Sequence, residues 1–152
     1  MNVFPVSVGA NAALNPYGQF VARKTVTFAN TSGTVNLFTV TGRVAAYFVH
    51  VCTTSLASAG GSALGVGTAE YTDSFGGPIV DVTTVDAGMS IDYSNGGFTA
   101  TPNQVSLPFN TGYWLLNGQD IIATLSAQVD SGVLEFYCFW TPLSADGNVV
   151  AA

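Results

Sequence analysis

The chain has 152 residues, of which 48% are hydrophobic and 8% are charged. This length and hydrophobic content fit one domain with a sizeable core and exclude intrinsic disorder. Nine acidic residues against three basic ones give a net charge of −6, so the chain lacks the clustered Lys and Arg that nucleic-acid binding requires. The longest near-apolar run, Val44 to Cys52, is far shorter than the roughly 20 residues of a membrane-spanning helix.

The first nineteen residues, Met1 to Gln19, carry no charged side chain and show no strong hydrophobic period. They are interpreted as an N-terminal arm, residues 1–19, which is held by its own domain or by a neighbouring subunit and helps to attach the protein to its partner. The remainder, residues 20–152, forms a single domain. Because the N-terminus lacks the basic start of a secretory signal, we expect synthesis in a cytoplasm.

The first half of the domain shows alternating patterns that are typical of strands. A strand is predicted from Phe20 to Ala29, with Lys24 interrupting its apolar face, and Asn30 to Gly33 is predicted to form a turn. A hairpin follows, whose arms run from Thr34 to Val40 and from Arg43 to Cys52. Its second arm is apolar on both faces, which predicts one face in the core and the other in a subunit contact.

The middle of the chain is richer in Gly, Ser and Pro, and only short strands are predicted there. Their predicted ranges are Ala63 to Val66, Ile79 to Val85, Met89 to Tyr93 and Tyr113 to Leu116. Phe98 to Asn110 contains two prolines and is predicted to be a loop or an edge strand. Asn117-Gly118 is a strong hairpin signal that leads into the next strand.

The stretch from Gly118 to Trp140 has the clearest pattern in the sequence, and it predicts a long β-hairpin. Its first arm alternates from Ile121 to Val129, and Asp130-Ser131-Gly132 then supplies turn residues. On the return arm, apolar residues share one face, namely Leu134, Phe136, Cys138 and Trp140. With about eight or nine strands and no helical stripe, the chain is predicted to be all-β, an antiparallel β-sandwich of jelly-roll type.

The sequence offers few candidate residues for catalysis or metal binding. The single histidine, His50, lies in mid-strand without a nucleophile motif, and a packed or surface histidine is the favoured interpretation. One His and two separated Cys show no zinc-ligand spacing. Four aspartates lie near one another in the sequence and leave a calcium site as an alternative: Asp73, Asp81, Asp86 and Asp92. We predict no enzymatic activity, no catalytic residue, no metal site and no cofactor.

Two further alternatives remain open in the sequence. Cys52 and Cys138 lie inside strand patterns, either as buried thiols or as a disulfide between strands. Aromatic residues in or beside predicted loops could stack on sugars, although such residues more often fill a core or a subunit contact. They are Tyr71, Phe75, Tyr93, Phe98, Phe109, Tyr113 and Trp114.

The run NGQDIIATLSAQVDSGVLEFYCFWTPLSADG, preceded by the Thr34 to Cys52 hairpin, resembles small structural proteins of tailed bacteriophages. These proteins often act as decoration (cement) proteins of the head. The resemblance covers most of Phe20 to Asn148 and carries no catalytic motif. It implies an all-β protein, usually a homotrimer, on the outer capsid surface, where its partner is the major capsid protein.

The expected function is therefore that of a virion structural protein, made in the host cytoplasm, which decorates and stabilises a phage capsid by bridging capsomers. An acidic, Lys-poor chain with apolar residues on both strand faces is suited to a permanent assembly. The alternatives are a phage tail or fibre component and a carbohydrate-binding attachment module.

Overall fold

The computed structural model describes residues 12–14, 20–75, 81–92, 99–102 and 114–152, with the backbone alone at 12–14, 91–92 and 99–102. The elements are β-strands apart from one short 3-10 helix, Val82–Thr84. The described strands are β1 (Ala12–Leu14), β2 (Phe20–Thr41), β3 (Arg43–Ala57), β4 (Leu64–Gly67), β5 (Met89–Asp92), β6 (Thr99–Pro102), β7 (Trp114–Asn117), β8 (Ile121–Pro142) and β9 (Asn148–Ala151). Within these ranges no helix has the length and apolar character to cross a membrane.

The described strands form one curled antiparallel sheet, which confirms the all-β prediction. The main path through the sheet is β1-β2-β8-β3-β5-β6, and each neighbouring pair is antiparallel. Three short strands join at the sides, since β4 pairs with β8, β7 with β3 and β9 with β2. The long strands β2, β8 and β3 therefore carry the whole sheet.

Two predicted turns are wrong, and with them the long hairpin predicted from Gly118 to Trp140, because β2 and β8 are each a single strand of 22 residues. The two strands are paired from Phe20 opposite Trp140 to Phe38 opposite Ile121. The turn-type residues of the first predicted turn, 30–33, fall instead at a register shift of this pairing, and those of the second, 130–132, lie beside a register shift in the pairing of β8 with β3. At the first of these shifts, Thr31 lies opposite Val129, whereas Gly33, two residues on, lies opposite Leu125. Residues suited to turns thus bend a paired ladder without reversing the chain.

Backbone conformation explains why these residue types are needed at the bend. Asn30, Gly33 and Gly132 have positive φ angles of 52°, 76° and 123°. Gly and, less often, Asn adopt such angles at little cost, whereas other residues are strained there. The same residues that predict a turn in sequence therefore produce a bulge in the structure.

Side-chain hydrogen bonds hold the bend in place. The Gln128 amide donates to Asn30 Oδ1 at 3.0 Å and to Asp130 Oδ1 at 2.8 Å. The Ala59 amide donates to Asp130 Oδ2 at 2.7 Å, and the Ser58 hydroxyl donates to the Gln128 carbonyl at 2.6 Å. The hydrogen bond from Gln128, together with the weaker effect of that from the Ala59 amide, lowers the pKa of Asp130. The bend is thus fixed by a local polar network.

The curl brings the inner faces of the sheet together around an aromatic core. Phe38, beyond the bend in β2, lies 6.2 Å from Phe48 of β3 between ring centroids, and Phe48 lies 4.5 Å from Phe75. At the other end, Phe20 stacks on Trp140 at 4.7 Å. The predicted shared face of the last part of β8 is confirmed by burial of all four members, Leu134, Phe136, Cys138 and Trp140.

Shorter elements were predicted with mixed success. Gly42, at φ 60°, lies between β2 and β3 as predicted, but the hairpin predicted around Thr41-Gly42 is wrong, because β2 and β3 each pair with β8 and not with each other. Asn117-Gly118 is not a hairpin turn, because β7 pairs with β3 and not with β8. The strand predicted from Ile79 to Val85 is wrong, because Val82–Thr84 is a 3-10 helix.

Of the remaining short strands, β4, β5 and β6 agree with the sequence-based expectations, whereas β1 and β9 are not predicted from the sequence. The strands at Leu64–Gly67 and Met89–Asp92 lie close to their predicted ranges. Thr99–Pro102 ends the main path of the sheet, in keeping with a loop or edge strand. Of the predicted arm, only Ala12–Leu14 lies within the described residues.

Lys24, which interrupts the inner face of β2, links two separate parts of the curled sheet. Its ammonium donates a hydrogen bond to the main-chain oxygen of Ala152. The Ala152 amide in turn donates to the Leu37 carbonyl at 3.0 Å, on the far side of the bend. The Lys24 ammonium therefore has a hydrogen-bond partner at the margin of the core, and this bond connects β2 to Ala152, which follows β9.

Replacing Gly132 by Ala should destabilise the fold more than the same change at Gly33. A Cβ atom at Gly132 would lie 2.5 Å from Leu56 Cδ2 and 2.8 Å from the Ser55 carbonyl oxygen, whereas one at Gly33 meets nothing within 4 Å. Backbone strain should cost about 1–2 kcal/mol at either position. Overpacking should add about 1–3 kcal/mol at Gly132 alone. Urea unfolding of both variants measures the difference, and equal losses would contradict the contact with β3.

Candidate functional site

Among the described residues, the surface with the strongest interaction character is the face of the central strands that points away from the core, here called the outer face. Residues directly opposite in antiparallel strands share a face, so the register defines three rows across β3, β8 and β2. The rows are Tyr47–Phe139–Val21, Val49–Tyr137–Arg23 and Val51–Glu135–Thr25. The sequence pattern of a two-sided apolar strand in β3 thus corresponds to a core face and an outer face.

Burial separates the two faces of β3. Its inner face is fully or almost fully buried at Val44, Ala46, Phe48, His50 and Cys52. On the outer face, Tyr47 and Val51 are only half-buried, and Val49 is buried. The prediction that one face of β3 lies in the core is confirmed. The subunit contact predicted for the other face stays a prediction.

An aromatic pair forms one end of the outer face. The rings of Tyr47 and Phe139 are stacked, with centroids 4.8 Å apart and planes 6° from parallel. Both residues are half-buried, although they lie on the side of the sheet away from the core. Flat, rigid aromatic surface of this kind binds a protein partner at low cost in side-chain entropy.

A charged cluster lies beside the aromatic pair. Arg23 forms an ion pair with Glu135, and the Tyr137 hydroxyl donates to the second oxygen of Glu135 at 2.7 Å. The Arg23 guanidinium also lies over the Tyr137 ring, 5.8 Å from its centroid. These contacts neutralise the one anionic and the one cationic side chain of the three rows.

The protonation states of the cluster follow from these contacts. The hydrogen bonds from Tyr137 and Arg23 lower the pKa of Glu135. Burial, and then the hydrogen bond to Glu135, raise the pKa of Tyr137. The hydrogen bond to Glu135 raises the pKa of Arg23. At neutral pH the cluster therefore holds a carboxylate, a guanidinium and a neutral phenol, with no net charge.

The sequence alone does not reveal this cluster. Glu135 and Tyr137 are two residues apart in one strand, so their shared face is predictable. Arg23 lies more than a hundred residues earlier, and only the register of β2 on β8 brings it to them. Leu115 extends the same side of the sheet, because it lies opposite Ala45, and it is 75% exposed.

His50 is a packed core residue, as favoured from the sequence. Its side chain is fully buried, and its ring centroid lies 5.1 Å from that of Phe136. Burial lowers the pKa of His50 to about 3. The imidazole is therefore neutral in the folded protein and is shielded from solvent.

Of the aspartates of the calcium alternative, Asp81 has a local structural role. Asp81 caps the 3-10 helix and accepts from the Thr83 amide at 2.9 Å and from the Thr83 hydroxyl at 2.7 Å. These bonds lower its pKa. In the part of the chain that the structure describes, no three His, Cys, Asp or Glu side chains are grouped closely enough to hold a metal ion.

The cysteines are buried thiols and not a disulfide. Cys52 lies opposite Leu134 in the β3–β8 register, four residues from Cys138. At about 3.3 Å per residue this offset is about 13 Å, which exceeds the Cα separation of about 7 Å that a disulfide can span. Burial raises the pKa of both thiols.

The aromatic residues of the sugar alternative are divided by the structure. Phe75 is buried, and its ring meets the edge of Trp114 at 5.3 Å. Tyr71 and Trp114 are 68% and 43% exposed. The other four, Tyr93, Phe98, Phe109 and Tyr113, lie outside the described residues.

Comparisons with protein-family models, with curated proteins and with solved structures find no match to this chain.

Folding stability should decrease as the pH falls from 7 to 5, because of His50. An unfolded histidine binds a proton near pH 6.5, whereas folded His50 does so only near pH 3. Between these values the unfolded state binds more protons, so stability is complete above pH 6.5 and decreases toward pH 3. At pH 5 the loss should be about 2 kcal/mol relative to pH 7.

Urea unfolding at pH 7, 6 and 5 measures this loss, with His50→Leu as the control. The variant should lose most of the pH dependence in this range, because the carboxylates with lowered pKa titrate at more acidic pH. An identical slope in the variant would show that another group is responsible.

Proposed function

We propose that the protein is a structural component of a virus particle, a homotrimer that decorates and stabilises the outer surface of a phage capsid by bridging capsomers. Its partner would be the major capsid protein, and its location the surface of the virion. The observation that supports an assembly role best is the outer face, where the stacked Tyr47 and Phe139 lie beside the neutral cluster of Arg23, Glu135 and Tyr137.

The composition of the outer face is that of a protein interface. Tyr, Phe and Arg are enriched at interfaces, whereas unpaired charges are depleted from interface cores. The ion pair leaves the three rows neutral in a chain whose net charge is −6. Copies of an acidic protein repel one another wherever like charges meet, so a neutral face is the favourable place for them to join.

The arrangement of the strands supports the proposal of a two-layer sandwich of jelly-roll type. β2 and β8 run together through the bend, with β3 beside β8 before it and β4 beside β8 after it. The contact between Phe38 and Phe48 joins the two parts across the core. Strands that pass from one layer to the other through a bulge are a known way to form the corners of such folds.

The acidic balance also fits a position outside the capsid. A protein with nine acidic and three basic residues gains nothing from contact with packaged DNA, whose phosphates it would repel. The outer surface of a shell presents protein instead of nucleic acid. Assembly through a neutral, partly apolar face is compatible with that position.

Thr25→Lys should weaken self-association, whereas Thr39→Lys should not. Thr25 is an exposed residue of the outer face, and Thr39 is an exposed threonine of the same strand beyond the bend. A lysine buried at the interface loses its hydration, so we expect trimer affinity to fall by about tenfold or more. Sedimentation of the purified chain should give about three times the 15.7 kDa of one chain. A stable monomer at micromolar concentration would contradict the trimer.

Attachment to capsids is tested with heads of the phage that encodes this chain, prepared without the protein. Added protein should bind in many copies per head and raise the temperature at which heads burst, because a ligand that binds only the intact shell stabilises it. Failure to bind heads, or a few copies confined to the tail in purified virions, would overturn the decoration role. The second outcome would support a tail or fibre component.

A glycan-binding role is the second candidate, because Tyr71 and Trp114 expose much of their aromatic surface. Tyr71→Ala and Trp114→Ala would abolish retention on a glycan array if these rings stack on sugars. The decoration proposal expects no retention by the parent protein and no change in head binding by Tyr71→Ala.

A further inference from the structure

The Asn117-Gly118 pair lies where β7 ends and the chain leaves β3. Asn117 is the last residue of β7, it lies opposite Arg43, and its side chain is exposed. Among the described asparagines, Asn117 alone is followed by glycine. Although the pair does not form a hairpin turn, it has a chemical reactivity that the fold controls.

An asparagine that precedes a glycine is prone to spontaneous loss of its side-chain amide. The main-chain nitrogen of the next residue attacks the side-chain carbonyl carbon. Glycine hinders this attack least, because it has no Cβ and its backbone rotates freely. A five-membered succinimide ring forms and ammonia leaves. Water then opens the ring at either carbonyl, which gives aspartate or isoaspartate.

The folded chain restrains the attacking nitrogen through two hydrogen bonds. The Gly118 amide donates to the Gly42 carbonyl at 2.9 Å, which extends the pairing of β7 with β3 by one step. The Asn117 amide donates to Gln119 Oε1 at 2.6 Å. Because Asn117 lies in a strand, ring closure also requires its backbone to leave the extended conformation. The reaction therefore needs this end of β7 to open first.

We propose that Asn117 is a deamidation site that the fold keeps closed and that reacts only when the end of β7 separates from β3. The Gly118 nitrogen bonds to Asn117 Cγ, and the Cγ–Nδ2 bond breaks to release ammonia. Water is the second reactant and opens the ring. Such opening is accessible because β7 has only four residues, of which three are exposed. The proposal goes beyond the capsid role and does not depend on it.

The two products should affect the sheet differently. Aspartate leaves the main chain unaltered and places a carboxylate opposite the exposed Arg43, so β7 stays paired. Isoaspartate carries the main chain through the former side chain and adds one backbone atom, which displaces Gly118 from Gly42. Because Leu115 lies opposite Ala45 at the margin of the outer face, separation of β7 would alter that margin.

Site-resolved mass measurement of the full chain tests the proposal. The folded chain and the chain unfolded in guanidinium chloride are kept at the same mildly alkaline pH, and digests are sampled over time. The peptide that contains Asn117 should deamidate about tenfold or more faster in the unfolded chain than in the folded chain. In the unfolded chain it should also react about tenfold faster than the peptide that contains Asn36, which is followed by Leu37.

Two variants separate the chemistry from the protection. Gly118→Ala should slow the reaction of the unfolded chain about tenfold, and folding of the variant does not affect that comparison. Gln119→Ala removes the acceptor of the Asn117 amide, so it should accelerate the reaction several-fold in the folded chain and leave the unfolded rate unchanged. Gln119→Glu keeps an acceptor at that position and is the matched control.

Equal rates in the folded and unfolded chains would overturn the protection by β7. Absence of the reaction at Asn117 in the unfolded chain would overturn the site itself. An unfolded rate that Gly118→Ala leaves unchanged would do the same, because the Gly118 nitrogen would then not be the attacking group. A folded Gln119→Ala variant that reacts like the parent would contradict the restraint by Gln119. If that variant fails to fold, the comparison of the folded and unfolded parent decides.

Discussion

The structure depends on the pairing of β2 with β8, two strands of 22 residues that remain together through a common bend. Every other described strand joins this pair directly or through β3 and β5. The bend divides the pair into two parts, and the contact of Phe38 with Phe48 shows that the inner faces of the sheet then share one core. A single paired ribbon therefore determines both which side is core and which side is the outer face.

The alternation of residue types was sufficient to predict the fold class and the faces of the strands. Leu134, Phe136 and Trp140 lie in the core as expected, because period 2 fixes the side of a strand whatever the strand pairs with. The connection between strands was not predictable in the same way. Gly132 has the positive φ angle that a turn would also require, and sequence alone does not distinguish a turn from a bulge that is held by a partner strand.

The outer face shows the same division between local and long-range information. Period 2 places Glu135 and Tyr137 on one side of β8, but the ion pair with Arg23 follows only from the register between distant segments. The buried His50 is the converse case, because its neighbours Val49 and Val51 already indicate a covered strand. The ion pair that neutralises the proposed interface thus depends on tertiary structure. For this reason no short sequence motif identifies the interface.

The β2–β8 pairing also has a consequence for the order of events during synthesis. Phe20 finds its partner in Trp140, so β2 leaves the ribosome more than a hundred residues before the strand that completes its ladder. Contacts of such high sequence separation make folding slow, because a long loop must close before the ladder can form. Until then, β2 is an alternating chain with both edges open, which is the form most susceptible to aggregation. The order of synthesis therefore leaves β2 without its partner until translation reaches β8.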